Sequence, residues 1–289
     1  MAQIKALLFN DPSCPWGYSA SPALRTLEWR YRDQIEWHLA VIGLSDENNP
    51  VPFPPETLTD FYFDFRERFG MPFAIEPKIR PVTSARACQV ITAARLLYPG
   101  SEWRALRTFQ LLNFNTPLLL DDDSQLLEAL GTIPGLDADE VMAAVDSAEV
   151  RNAYEEDFRH ARSATGGATH LQSKTASVDG GGQRYTAPSV IFEEGERRVE
   201  AGGFQPVEAY DVVIANLDPG LKRIDPAEDP LEALSLYPAG LTTQEVAAVM
   251  ASGLGPPDRT ETERELVHLF GAGKVRRVPL GNDALWVAA

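Results

Sequence analysis

The chain has 289 residues, 44% of them hydrophobic, enough for one large domain or two smaller ones with a sizeable buried core. It carries 42 acidic against 26 basic residues, a net charge of −16, which argues against nucleic acid or an anionic membrane as its main partner. Two cysteines and four scattered histidines offer neither a disulfide framework nor a zinc-type cluster, so no metal site is expected.

In chain order, residues 3–9 form a short apolar run bounded by Asn10, Asp11 and Pro12, which predicts a buried strand. The run is too short for a signal peptide's apolar region, and no transmembrane-length stretch follows; a cytosolic protein is expected. Residues 15–32 trace one apolar stripe and predict a helix, with Pro15 at its first position, where a missing N–H costs nothing. Alternation over 35–42 predicts a second strand, which completes a βαβ unit.

Residues 45–56 read as a loop rich in Pro and Asn, and 57 to about 165 as mostly helix. Helices are expected at 81–98, 102–113, 124–130, 138–147 and 150–163, with Asp137 and Glu140 as a capping pair. The Gly-rich stretch 165–186 reads as a mobile loop. Strand character returns at 188–201 as a hairpin turning at Glu194-Gly195, followed by a helix from Pro206 to about 217.

Beyond a linker, two capping boxes, Thr242 with Glu245 and Thr260 with Glu263, open two helices. A terminal hairpin then turns at Gly281-Asn282, and together these suggest a winged-helix-like module. Lys274, Arg276 and Arg277 stand on its wing. Residues 225–289 nevertheless hold more acidic than basic side chains, which favours docking or oligomerisation, a homodimer included, over DNA binding.

The chemistry points to N-D-P-S-C-P-W-G-Y-S, residues 10–19. A cysteine at a helix start faces unpaired backbone N–H groups and the positive end of the helix dipole. Cys14 is therefore expected below the free-thiol pKa of about 8.5, with Ser13 as a hydroxyl donor and Trp16 shielding the sulfur. The opposing reading is a buried, inert cysteine. Cys88 lies on the apolar stripe of its helix and is read as a packing residue, with a disulfide to Cys14 the less favoured alternative. Asp11 reads as a turn residue ahead of a proton relay, and His170 as a solvated loop residue. Phe61, Tyr62, Phe63 and Phe65 either wall a pocket or pack the core.

D-x-x-C-P-W after a first strand, a long helical insertion and T-A-P-S-V-I-F before a late hairpin resemble the DsbA-like branch of the thioredoxin superfamily, its cytosolic FrnE-type group above all. The resemblance covers residues 1 to about 217. It implies an α/β thioredoxin-like domain split over 1–56 and 165–220, a helical insertion at 57–164, and the winged-helix-like module at 225–289 left outside it. It implies thiol–disulfide chemistry at Cys14. Ser13, Pro15, Trp16, Gly17, Ala187 and Pro188 would surround the substrate, with a cis peptide before Pro188 exposing the Ala187 backbone.

Family members usually read C-P-W-C, and here Gly17 stands in the last place. Cys14 would then act alone, through mixed disulfides with a small thiol such as mycothiol or glutathione, on a small-molecule or protein disulfide. The alternatives are a thiol-dependent isomerase or transferase on a small organic substrate, and a non-catalytic binding module. Two further expectations follow: residues 1–217 fold without the tail, and a cysteine at position 17 fits without strain and pairs with Cys14.

Overall fold

Strand β1 (Ile4–Asn10) leads into two helices, α1 (Pro15–Ser19) and α2 (Ser21–Tyr31), and then into β2 (Ile35–Val41). The structure, a computed structural model, describes residues 4–253 and 255–289. The insertion holds α3 (Pro55–Phe69), α4 (Ala85–Leu97), α5 (Glu102–Asn115), α6 (Asp123–Gly131), α7 (Ala138–Ala144) and α8 (Ala148–Ala161), and the short α9 (Ala168–Leu171) follows it. Next come β3 (Thr175–Ser177), β4 (Gln183–Tyr185), β5 (Ser189–Glu194), β6 (Arg197–Ala201) and α10 (Val207–Leu217). The last part holds α11 (Pro230–Ser235), β7 (Leu241–Thr242), α12 (Thr243–Met250), α13 (Arg259–Gly271), β8 (Val275–Leu280) and β9 (Asp283–Ala288).

The main sheet has the order β2-β1-β5-β6. β1 runs parallel to β2, with Leu8 opposite Leu39, and antiparallel to β5, with Leu8 opposite Val190. Because successive side chains point to opposite faces, Ile4, Ala6 and Leu8 pack into one core with α2 and α10. Leu7 and Phe9 face a second cluster with Tyr185, Ala187 and Ile191. A strand apolar on both faces belongs at a sheet's centre, which brings its end, Asn10, and the turn to Cys14 to the middle of the molecule.

The helix predicted over 15–32 is broken at Ala20, because Pro22 has no N–H to bond the carbonyl one turn back and its ring would collide with it. The Gly-rich stretch is not simply a loop: β3 and β4 pair as a hairpin, Thr175 opposite Tyr185, and Gln183 O accepts from Ala164 N–H. Tyr185 anchors the hairpin by stacking on Phe9 at 4.5 Å. The expected box at Thr260 also gives way. Asp258, one residue before the helix, caps α13 by accepting from Glu261 N–H, whereas Thr242 and Glu245 form the reciprocal box predicted.

The C-terminal part contains α11, α12, α13 and a three-stranded antiparallel sheet of order β7-β9-β8. Its core includes Trp29 of α2, whose indole N–H donates to Asp225 O at 2.8 Å. Glu245, fully buried, accepts both guanidinium arms of Arg107 on α5, at 2.6 and 2.8 Å, and also bonds Ser21 Oγ. At the far end Asn282 Oδ1 accepts from Phe73 N–H at 3.1 Å, and Leu280 and Leu285 join the cluster of Tyr18, Phe73 and Phe114. Residues 1–217 therefore share buried surface with the tail.

Candidate active site

Cys14 is the N-cap of α1, extended at φ −83° and ψ 114°, and its side chain is only 7% exposed. The thiol donates to Ala187 O at 3.3 Å. The Ala187–Pro188 peptide is cis. Burial pushes the Cys14 thiol up to about 11; the backbone N–H groups of Gly17 and Trp16 and the nearby Arg184 oppose this, and the Asp11 carboxylate adds to it. The low thiol pKa expected from a helix start is thus overturned. Desolvation disfavours the anion more than two N–H groups favour it, and the bond to a carbonyl oxygen needs the proton in place.

Asp11 ties this corner together. Its Oδ1 accepts from Ser13 N–H at 2.9 Å and Ser13 O–H at 2.7 Å. Its Oδ2 accepts from Leu44 N–H, Ser84 O–H and the Cys88 thiol, at 2.9, 3.0 and 3.5 Å. It is the turn former predicted, and it also fastens the segment after β2 and the start of α4 to the turn that carries Cys14. Ser13, predicted as a donor to the sulfur, spends its hydroxyl on Asp11. Cys88 is fully buried, and burial raises its thiol well above the ordinary value.

A cavity of about 620 Å³ opens on Cys14. Ser13, Cys14, Pro15 and Trp16 form its floor; Pro50, Pro52, Phe53, Phe61, Tyr62 and Phe65 form much of its wall. Trp16 is held edge-on by Phe65, Phe69 and Phe204, with centroids at 4.8, 5.5 and 5.7 Å. Of the aromatic run, Phe61, Tyr62 and Phe65 line the cavity, whereas Phe63 turns outward with the Arg66 guanidinium 4.9 Å from its ring centre. Gly17, Ala187 and Pro188 do not line it. Ala187 reaches the sulfur only through its carbonyl, and Gly17 faces the sheet.

Gly17 is packed against Asn10. A Cβ there would overlap Asn10 Oδ1 and come within 3.1 Å of its Cγ, so a cysteine at this place does not fit freely, contrary to the expectation from sequence. Asn10 is itself engaged: its Oδ1 accepts from Asp11 N–H at 2.8 Å and from Gln110 Nε2 at 3.3 Å. His170 lies in α9, where its Nδ1 accepts from Gly166 N–H at 3.0 Å, and it does not line the cavity.

No protein-family model and no curated sequence matches the chain. Solved structures do. A putative protein disulfide isomerase from Nitrosomonas europaea is 14% identical with a TM-score of 0.58, covering 74% of this chain and 97% of its own. A probable DsbA oxidoreductase from Streptomyces coelicolor is 20% identical with a TM-score of 0.54, covering 77% and 94%. The cytosolic disulfide reductase DsbM from Pseudomonas aeruginosa is 17% identical with a TM-score of 0.51, covering 75% and 100%, and has also been solved with GSH.

The chain has the DsbA-like thioredoxin fold. In that fold the segment after β2, α3, residues 74–82 and the end of α5 supply the cavity wall, and the turn after β1 and the segment before β5 bring Cys14 and Ala187 together. Lys78 and Arg184 also line the cavity and were not anticipated. Lys78 donates to Thr116 O at 3.2 Å and to Leu118 O, and burial lowers its ammonium to about 8. Neither residue lies in a motif. Only the position of Arg184, four residues before Pro188, hinted that it sits near the thiol.

Proposed function

We propose that the protein is a DsbA-like thiol oxidoreductase of the FrnE type that works with one cysteine, exchanging mixed disulfides with a low-molecular-weight thiol of the glutathione or mycothiol kind. One observation carries the reading: the Cys14 sulfur opens on a small-molecule-sized cavity, with glycine where a resolving thiol would stand. The alternative thiol, Cys88, is buried and bonded to Asp11.

In the first half-reaction the Cys14 sulfur attacks one sulfur of a disulfide RS–SR. A Cys14–S–SR bond forms and the other RS leaves as thiolate. The Cys14 thiol, near 11, keeps its proton on the sulfur, hydrogen-bonded to Ala187 O, until attack; as the new S–S bond forms the sulfur gives up that proton, and the departing thiolate takes it up and is released as RSH. In the second half-reaction a small thiol R′SH attacks the SR sulfur. This forms RS–SR′ and returns Cys14 as a thiol, with the proton of R′SH. Solved structures of similar fold include a disulfide reductase with GSH, which supports this choice of co-substrate. A cytosolic location is part of the same proposal, a compartment in which both cysteines would stay reduced; among the described residues no helix is long and apolar enough to cross a membrane.

Intact mass spectrometry after incubation with oxidised glutathione and other small disulfides tests this. A single adduct on Cys14, absent in Cys14→Ser and released by excess thiol, is expected; no adduct on Cys14 with any disulfide overturns it. The apolar walls and the high thiol pKa favour a second reading, a thiol-dependent isomerase or transferase whose small organic substrate fills the same cavity. In that case adducts form poorly, but a thiol cofactor and an organic ligand bind together.

A further inference from the structure

The cavity is apolar over most of its wall, yet three cationic side chains line it, Lys78, Arg80 and Arg184, against one acidic one, Glu76. Two of the three are committed. Arg80 forms a bidentate pair with Asp121 at 2.8 Å on both arms, and Lys78 caps the carbonyls of Thr116 and Leu118. Arg184 is different. It is half-buried on β4, its recorded hydrogen bond is one from Nη1 to Tyr185 O at 3.2 Å, and it forms no ion pair among the described residues. A guanidinium presents five N–H groups in a planar fork shaped for a carboxylate. In a chain with a net charge of −16, this guanidinium lines the cavity with no direct ion pair among the described residues, although the Asp11 carboxylate acts on it from a distance.

We propose that Arg184 is the specificity-determining residue of this cavity, and that the molecule taken beside Cys14 is a small carboxylate with an apolar or aromatic body. The carboxylate pairs with the guanidinium, and the body lies between Pro50, Pro52, Phe53, Phe61 and Tyr62. The assignment deepens the oxidoreductase reading and rests on it in one respect: that the carboxylate carries the thiol or disulfide sulfur that Cys14 meets. The apolar contact supplies affinity in proportion to area. The single charge-assisted pair, in partly desolvated surroundings, selects among molecules of similar shape. Burial lowers the Arg184 guanidinium, and the Cys14 sulfur and the Asp11 carboxylate oppose this only in part.

Two measurements test this, one of them independent of thiol chemistry. In Cys14→Ser protein, calorimetry with 2-naphthoate and with 2-naphthylmethanol compares an anion and a neutral molecule of the same body. The carboxylate is expected to bind at least about tenfold more tightly, the worth of one charge-assisted hydrogen-bonded pair. Arg184→Gln should bring it down to the alcohol's affinity while leaving the alcohol unchanged, and Arg184→Lys should keep part of the difference. Equal affinities in the unmutated cavity, or no binding of the carboxylate, overturn the proposal.

The second measurement follows the rate at which Cys14 of the otherwise unmodified chain reacts with 5,5′-dithiobis(2-nitrobenzoate) and with the neutral 4,4′-dithiodipyridine. Arg184→Gln is expected to slow the first by about tenfold or more and the second by less than about twofold. Equal slowing of both would mean that Arg184 acts on the sulfur alone, and would overturn the proposal. If neither reagent modifies Cys14 while naphthoate discrimination persists, the carboxylate site stands and the oxidoreductase reading falls.

Discussion

Gly17→Ala is the smallest change that asks why position 17 holds no side chain. Gly17 has ordinary negative-φ backbone, so alanine meets no conformational penalty, and in a helix interior it would gain up to about 1 kcal/mol over glycine. The obstacle is Asn10: the new Cβ overlaps its Oδ1, and the amide must swing away. It then gives up Asp11 N–H and Gln110 Nε2. Gln110 has a second acceptor in Asp11 O at 3.4 Å, but the buried Asp11 N–H has no stand-in. Leaving it unpaired costs about 2 kcal/mol, the middle of the usual range, so the net loss is about 1 kcal/mol once helix propensity is subtracted.

Asn10→Ala carries the same loss of the Asp11 partner but removes the clash. The double variant Asn10→Ala, Gly17→Ala should therefore cost less than the sum of the singles, with a coupling of about 2 kcal/mol in a double-mutant cycle. Urea denaturation of the four proteins, with unchanged m-values, measures it. Additive effects, or a Gly17→Ala protein as stable as the parent, would refute the packing argument. The same geometry governs the missing thiol. Gly17→Cys should form its bond to Cys14 slowly, and Asn10→Ala, Gly17→Cys readily, as read by alkylation after mild oxidation.

Three further predictions concern titration and the tail. Alkylation of Cys14 should rise through a midpoint near pH 11, with Cys88 unreactive until unfolding; a midpoint at or below that of a free thiol would mean the site opens freely to water. The folded chain holds the Cys14 proton more tightly than the unfolded one, so this contribution is intact below about pH 9 and lost as pH rises toward 11. Glu245 has the opposite sign. Arg107 beside it holds its carboxyl near 2, so the stability it adds is present above about pH 4.5 and lost as pH falls toward 2. Glu245→Gln, which leaves Arg107 buried without a counter-charge, should lose about 3–5 kcal/mol in denaturant melts and flatten the acid limb; a loss under about 1 kcal/mol would contradict the buried pair. Truncation after residue 217 uncovers Trp29 and Arg107 and should abolish or sharply lower the cooperative thermal transition, whereas an unchanged melt would restore the independent-domain reading.

The order of elements was legible along the chain because it rests on local signals. Alternation and apolar runs marked the strands β1, β2 and β5. Helical periodicity with Pro206, Asp137 and Thr242 at helix starts marked the insertion helices, α10 and α12, and the C-P-W stretch marked the thiol. Even local errors had local causes: Pro22 divides a stripe that continues unbroken in composition, and Asp258 outcompetes Thr260 as a cap. Burial decided the rest. Whether a thiol at a helix start is acidic depends on how much water reaches it, and Leu44, Tyr62 and Arg184 come to it from distant parts of the chain. Whether position 17 can hold a side chain depends on Asn10, seven residues away along the sequence and in contact only once β1 and α1 are docked. The chain's own chemistry chose Cys14. The fold decided its surroundings, by desolvating the sulfur and placing an apolar cavity lined by Arg184 beside it.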